Sequence, residues 1–210
     1  MVRFTHPTDC DSNAVTQLFM KNKLRTFIAV EIDRAIRTRA GELIALLRGT
    51  AADVKWVEPQ NLHLTLKFLG DVHQRDILAV CRAVEQGAAE LAPFELEVRG
   101  AGAFPQTARP RTVWLGATTG AQEMIALHDR METPLAKLGY RKEHRQFETH
   151  LTIGRVRGGG PGIAELGTLL QQHADFLAGR MTVGKVTVFS STLTSAGPIY
   201  EALGTARLGG

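Results

Sequence analysis

Two short strings in this chain have the residue types and spacing for proton-transfer chemistry: His63-Leu64-Thr65-Leu66 and His150-Leu151-Thr152-Ile153. A lone His-x-Thr is unspecific. A leucine between the two and an aliphatic residue after them, repeated in a second apolar stretch, is rarely chance. In a strand successive side chains alternate faces, so His63 and Thr65 share one face while Leu64 and Leu66 share the other. His150 and Thr152 stand in the same relation to Leu151 and Ile153. A sheet that buries its aliphatic residues then presents two imidazoles and two hydroxyls on its free face.

That set suits attack on phosphorus without a metal. One neutral imidazole removes a proton from water, and the other, protonated, gives one to the departing sugar oxygen. Histidine serves both roles because its pKa near ~6.5 keeps both forms present at neutral pH. The threonine hydroxyls donate to the non-bridging oxygens, where charge builds in the transition state. Lys67 shares the parity of His63 and is read as a surface or substrate-steering charge rather than a catalyst. Arg155 is off the parity of His150 and reaches the same face only through a strand end or a bulge.

The same residues admit blander readings: strand histidines held by backbone partners, threonines chosen for β-propensity, Arg155 as a solvated strand-end charge. The matched recurrence favours the chemical reading. No Asp, Glu or Cys accompanies either histidine at ligand spacing, so a zinc site is disfavoured and no metal or cofactor is expected. The run Gly179 to Val186 matches a phosphate-binding P-loop except that Val186 stands where Ser or Thr would hold Mg²⁺. It also reads as strand with no helix after it, which rejects nucleotide triphosphate binding there.

The elements around the two strings follow from periodicity. Strands are expected at 24–32, 54–57, 63–70, 94–98, 111–117, 149–156 and, as one long run, 181–193, with a closing hairpin arm at 199–203. Helices are expected after the capping residue Asp33, with Ile36, Ala40, Leu43, Ile44 and Leu47 on one face, and again from Ile77 to Leu91. Two more are expected at 121–138 and from Ile163 to Leu177. Gly/Pro-rich loops are expected at 99–110 and 157–162. Strands separated by single helices and closed by a hairpin predict an α+β fold. Residues 1–23 lack a sustained period and read as a loosely ordered tail, with one domain over 24–205.

Composition bounds the rest. At 210 residues, 44% hydrophobic and 22% charged, the chain suits one sizeable soluble domain rather than disorder, collagen or coiled coil. No apolar run approaches the ~18–20 residues of a membrane span, and the first twenty residues do not read as a secretory signal. Cys10 and Cys81 are the only cysteines, so a disulfide framework is excluded and a cytoplasmic location is expected. The net charge of +4 is compatible with an anionic partner such as RNA without demanding one.

At these residues the sequence resembles the two-histidine (2H) phosphoesterase superfamily, and within it the RNA 2′,3′-cyclic phosphodiesterases, also called 2′-5′ RNA ligases. RTFIAVEI from Arg25 resembles the family's opening strand, and Trp56 through HLTLKFLG its first motif. FPQTARPRTVWLG at 104–116 resembles its middle block, and Phe147 through HLTIGR its second motif. Thr149 departs from the family, which often has Pro there. The resemblance implies a bilobal α+β fold, with two pseudo-symmetric antiparallel-sheet lobes, helices on the outer faces and the motifs facing a central cleft. It implies hydrolysis of an RNA 2′,3′-cyclic phosphate to a 2′-phosphomonoester; the expected partners are RNA ends of that kind, such as those of tRNA-like fragments, and a monomer without a cofactor is expected. It assigns His63 as proton donor, His150 as proton acceptor, and Thr65, Thr152 and Arg155 as phosphate contacts. ATP-independent 2′-5′ joining would be the same chemistry in reverse. The alternatives are a 2′-5′ oligonucleotide or small cyclic-nucleotide phosphodiesterase of the superfamily, or a non-catalytic module that binds RNA ends.

Overall fold

The computed structural model describes residues 22–143, 146–195 and 197–209. The tail expected over 1–23 therefore lies outside the described residues up to position 21, and Lys23 already opens the first strand. Nine strands form one sheet: β1 (Lys23–Glu31), β2 (Val54–Trp56), β3 (His63–His73), β4 (Phe94–Phe104), β5 (Thr112–Ala117), β6 (His150–Val156), β7 (Leu177–Val183), β8 (Lys185–Thr194) and β9 (Gly197–Arg207). Among the described residues four α-helices are interleaved: α1 (Arg34–Leu47), α2 (Ile77–Ala88), α3 (Ala121–Lys137) and α4 (Ile163–Gln172). The helix after Asp33 forms as its spacing predicts. The Asp33 carboxylate accepts from the Ile36 amide at 2.8 Å, satisfying one of the orphan donors of the first turn. The five aliphatic residues expected on its inner face are all buried.

The strand order is β7-β4-β5-β6-β3-β1-β8-β9, with β2 added beside β6, and each of these pairings is antiparallel. Outward from the centre, β6, β5, β4, β7 mirror β3, β1, β8, β9. The helices follow the same scheme, since α1 and α2 follow β1 and β3 as α3 and α4 follow β5 and β6. The molecule is thus α+β with two related four-stranded lobes, joined at the pair Leu64–Leu151. Both leucines are buried in the core. That core lies between the sheet and its helices, and it includes Ile28, Val30, Val113, Leu115 and Ile153 from the strands.

Several expected boundaries shift, and three of the changes alter the reading of the fold. The run 181–193 is two strands, divided at Gly184, because β7 pairs with β4 in one lobe and β8 with β1 in the other. One residue joins strands that are six places apart in the sheet order, about 30 Å if the sheet were flat. The sheet therefore curls until the two lobes approach. The last predicted helix stops at Gln172, and Leu177 belongs to β7. The glycines expected to form a loop after residue 98 instead continue β4 to Phe104.

Candidate active site

His63 and His150 each begin the strand at the centre of their lobe, β3 and β6. Continuing the antiparallel register by one residue on either side of Leu64–Leu151 sets His63 beside Thr152 and Thr65 beside His150. Because both leucines face the core, these four side chains share the open face, and each is half-buried. The two histidines are diagonal neighbours, a relation that puts Cα atoms about 7–8 Å apart. The structure thus brings His63, Thr65, His150 and Thr152 together. They meet on one curled sheet around the lobe junction.

The two imidazoles are held alike. His63 Nδ1 donates to the Asn61 carbonyl at 2.7 Å, and His150 Nδ1 donates to the Glu148 carbonyl at 2.8 Å. A carbonyl only accepts, so the proton sits on Nδ1 in both rings and Nε2 is left for chemistry. Asn61 is itself fixed by its side-chain amide, which donates to the Pro198 carbonyl of β9 at 3.0 Å. Thus the closing hairpin braces the first histidine. Burial pushes the His63 pKa below its ordinary value, opposed by the Asn61 hydrogen bond and assisted by the positive charge of Arg155.

Arg155 reaches this face because β6 is bulged. Trp114 of β5 lies opposite Thr152 and Val113 lies opposite Gly154, so Ile153 is the extra residue. Gly154 is then turned to the core and Arg155 to the open face. The same device operates in β3: Ala29 lies opposite Thr65 and Ile28 opposite Lys67, leaving Leu66 as the extra residue. The reading of Lys67 as a surface charge is corrected by this bulge. Lys67 is turned inward, only 4% exposed, and it pairs with the buried carboxylate of Glu132 on α3. It also donates to the Arg141 carbonyl at 3.0 Å.

The position that matches Arg155 in the first motif is Phe68, which alternation alone did not single out. It is 59% exposed beside Phe27, with ring centroids 6.0 Å apart. Phe27 also packs on the His63 ring at 4.8 Å, and Tyr200 meets that ring edge-on at 5.3 Å. His63 therefore stands in an aromatic panel drawn from β1, β3 and β9. Extending the comparison of the two strings by two residues, to Phe68 and Arg155, is the signal that finds it. Around His150 the aromatic neighbour is Phe104, edge-on at 5.1 Å. Among the described residues no three His, Cys, Asp or Glu side chains group as a metal site, and no helix is long and apolar enough to cross a membrane.

Comparison with known proteins agrees with this architecture. The family model described as LigT like Phosphoesterase matches residues 30–114 and again 115–200, once for each motif. The chain is 37% identical over 186 residues to the RNA 2′,3′-cyclic phosphodiesterase of Methanothermobacter thermautotrophicus, covering 89% of this chain and 100% of the relative. It is 35% identical over 180 residues to the protein of that name from Archaeoglobus fulgidus, covering 86% and 98%. A solved protein of Thermus thermophilus superposes with a TM-score of 0.74 at 25% identity, covering 89% of this chain and 99% of that one. With both halves matched by one family and relatives aligned over nearly their full length, the chain belongs to the LigT-like phosphoesterases of the 2H superfamily.

Proposed function

We propose that the protein hydrolyses RNA 2′,3′-cyclic phosphate ends to 2′-phosphomonoesters by acid–base catalysis between His63 and His150. The observation that carries this is the pair of Nδ1-anchored imidazoles on one face, each beside the threonine of the other motif. A phosphate lying over the lobe junction meets a ring nitrogen from either side and a hydroxyl from each strand. His150 Nε2 takes a proton from the attacking water. The P–O3′ bond breaks, and His63 Nε2–H protonates the leaving O3′. Thr65, Thr152 and Arg155 donate to the non-bridging oxygens, where charge grows in the transition state.

The aromatic panel supports this direction of reaction. A nucleobase stacked on exposed Phe68 leaves its ribose beside His63, the residue that must reach O3′. The acid role asks His63 to be protonated, whereas burial and Arg155 hold its pKa down in the free protein. A bound phosphodiester anion opposes that effect, because a negative charge beside the ring favours the imidazolium. With an RNA 5′-hydroxyl in place of water the same steps join ends through a 2′-5′ linkage, without ATP. We assign this work to a cytoplasmic monomer. The relatives' shared name, RNA 2′,3′-cyclic phosphodiesterase, supports the substrate class.

The test is a short RNA ending in a 2′,3′-cyclic phosphate, with the product mapped for the oxygen that keeps the phosphate. A 2′-phosphate is expected, formed undiminished in EDTA. His63→Ala and His150→Ala should each lower turnover by about 10²-fold or more while circular dichroism stays that of the parent. A 3′-phosphate product or loss of activity to chelator would overturn the mechanism, and tight binding without product would identify a non-catalytic module.

A further inference from the structure

A cavity of about 430 Å³ lies beside His150, on the side away from Phe68. Its lining includes Phe104, Trp114, Phe147 and Ile125. This size is within the range of small-molecule sites. Trp114 lies over bare backbone: a Cβ on Gly102 would come within 2.5 Å of the indole, and one on Gly116 within 3.2 Å. The glycines thus let the ring lie flat along the face that carries His150. Gly116 is the cross-strand partner of His150, and Trp114 is two residues along the same strand. Two of the lining residues, Trp114 and Thr149, also carry a polar atom, Nε1 and Oγ1, that is buried without a hydrogen-bond partner. None of these features is used by hydrolysis, since water needs no stacking surface.

From this arrangement we infer that the cavity is a nucleoside subsite for the alcohol side of the reaction, a nucleoside with a free 5′-hydroxyl. The inference rests on the phosphodiesterase reading above. Water attacks from the side of His150, so an alcohol that replaces water must enter there. A base stacked on Trp114 puts its ribose over Gly116 and its 5′-oxygen at His150 Nε2. His150 takes the 5′-hydroxyl proton, O5′ attacks phosphorus, the P–O3′ bond breaks, and His63 protonates O3′. The product is a 2′-5′ phosphodiester with a free 3′-hydroxyl, balanced without any co-reactant. Run in reverse, the same subsite holds the leaving nucleoside of a 2′-5′ linkage. The two aromatic surfaces then serve different nucleosides: Phe68 the one that bears the cyclic phosphate, Trp114 the one that accepts it.

The experiment measures transfer against hydrolysis. A nucleoside 2′,3′-cyclic phosphate is incubated with adenosine, and the 2′-5′ dinucleoside monophosphate is counted against the hydrolysis product. The parent should form the dinucleoside. Ile125→Trp, which fills the cavity from α3, should lower its share at least fivefold while hydrolysis without adenosine stays within twofold. A parent that hydrolyses but never transfers, or a filled variant with an unchanged share, overturns the subsite and leaves the phosphodiesterase reading intact. A parent that does not hydrolyse at all overturns that reading instead. The subsite is then decided by adenosine titration of a Trp56→Phe variant, in which Trp114 is the remaining tryptophan. Saturable quenching supports it, and fluorescence unchanged by adenosine overturns it.

Discussion

Residues of ordinary type make up the proposed phosphate site here through what holds them. His63 and His150 are both anchored through Nδ1 to a carbonyl two residues earlier, so the tautomer is set by backbone rather than by a carboxylate partner. Arg155 brings positive charge to the same face and depresses the His63 pKa. In the free protein an NMR titration should therefore find the His63 midpoint below the ordinary value of 6.5. Arg155→Ala should move it upward, since one of the two influences favouring the neutral ring is removed. A midpoint unmoved by that substitution would separate Arg155 from His63. Phe68 belongs to the same scale. Exposed base stacking is worth about 1 kcal/mol at the low end of its range, so Phe68→Ala should raise KM for cyclic-phosphate RNA roughly fivefold with kcat little altered. Steady-state kinetics on the two proteins checks this.

The strands decide which residues become available. One bulge in β3 and its counterpart in β6 reverse the alternation after the fourth residue of each motif. Each bulge sends the following residue, Lys67 or Gly154, inward and the next, Phe68 or Arg155, outward. At the inward position the first motif carries a charge, and Lys67 meets Glu132 behind the sheet. The other oxygen of Glu132 accepts from the Glu143 amide at 2.9 Å, so one carboxylate links β3 to the segment that follows α3. Removing one member of a buried ion pair strands the other charge and typically costs about 3–5 kcal/mol. Lys67→Met should lose stability on that scale in urea unfolding. The double variant Lys67→Met/Glu132→Met should recover part of the loss, because no buried charge is left alone. A double variant no more stable than the single one would show that the pair matters for its hydrogen bonds instead.

At the scale of the molecule, one lobe is inserted in sequence between the two parts of the other. The lobe that holds β3 and β1 is completed by β8 and β9 from the C-terminal end, while β4 crosses to the other lobe. That lobe is therefore closed only by chain that has first traversed the other, whose strands β4 to β7 run consecutively. The lobe around β3 is thus split in sequence by the whole of β4 to β7, and the sheet runs through both lobes without a break. Unfolding should accordingly be a single transition, with tryptophan fluorescence and far-ultraviolet circular dichroism sharing one midpoint in denaturant. Trp56 and Trp114 both report on the lobe built around β6. If that lobe unfolded alone, fluorescence would change ahead of circular dichroism.

Local grammar was legible in the amino-acid order: the α+β alternation, the buried stripe of α1 with its Asp33 cap, and the sharing of a face by His63 with Thr65 and by His150 with Thr152. These depend on period and capping, which act between near neighbours in the chain. Three further features arose only when distant segments met. The two strings join across Leu64 and Leu151, Lys67 turns inward while Phe68 turns outward, and the run through Gly184 divides between opposite lobes. Each of these is set by pairing between strands far apart in sequence. A bulge is defined only by the residues opposite it, so no reading of one strand alone reveals which side its later residues will take.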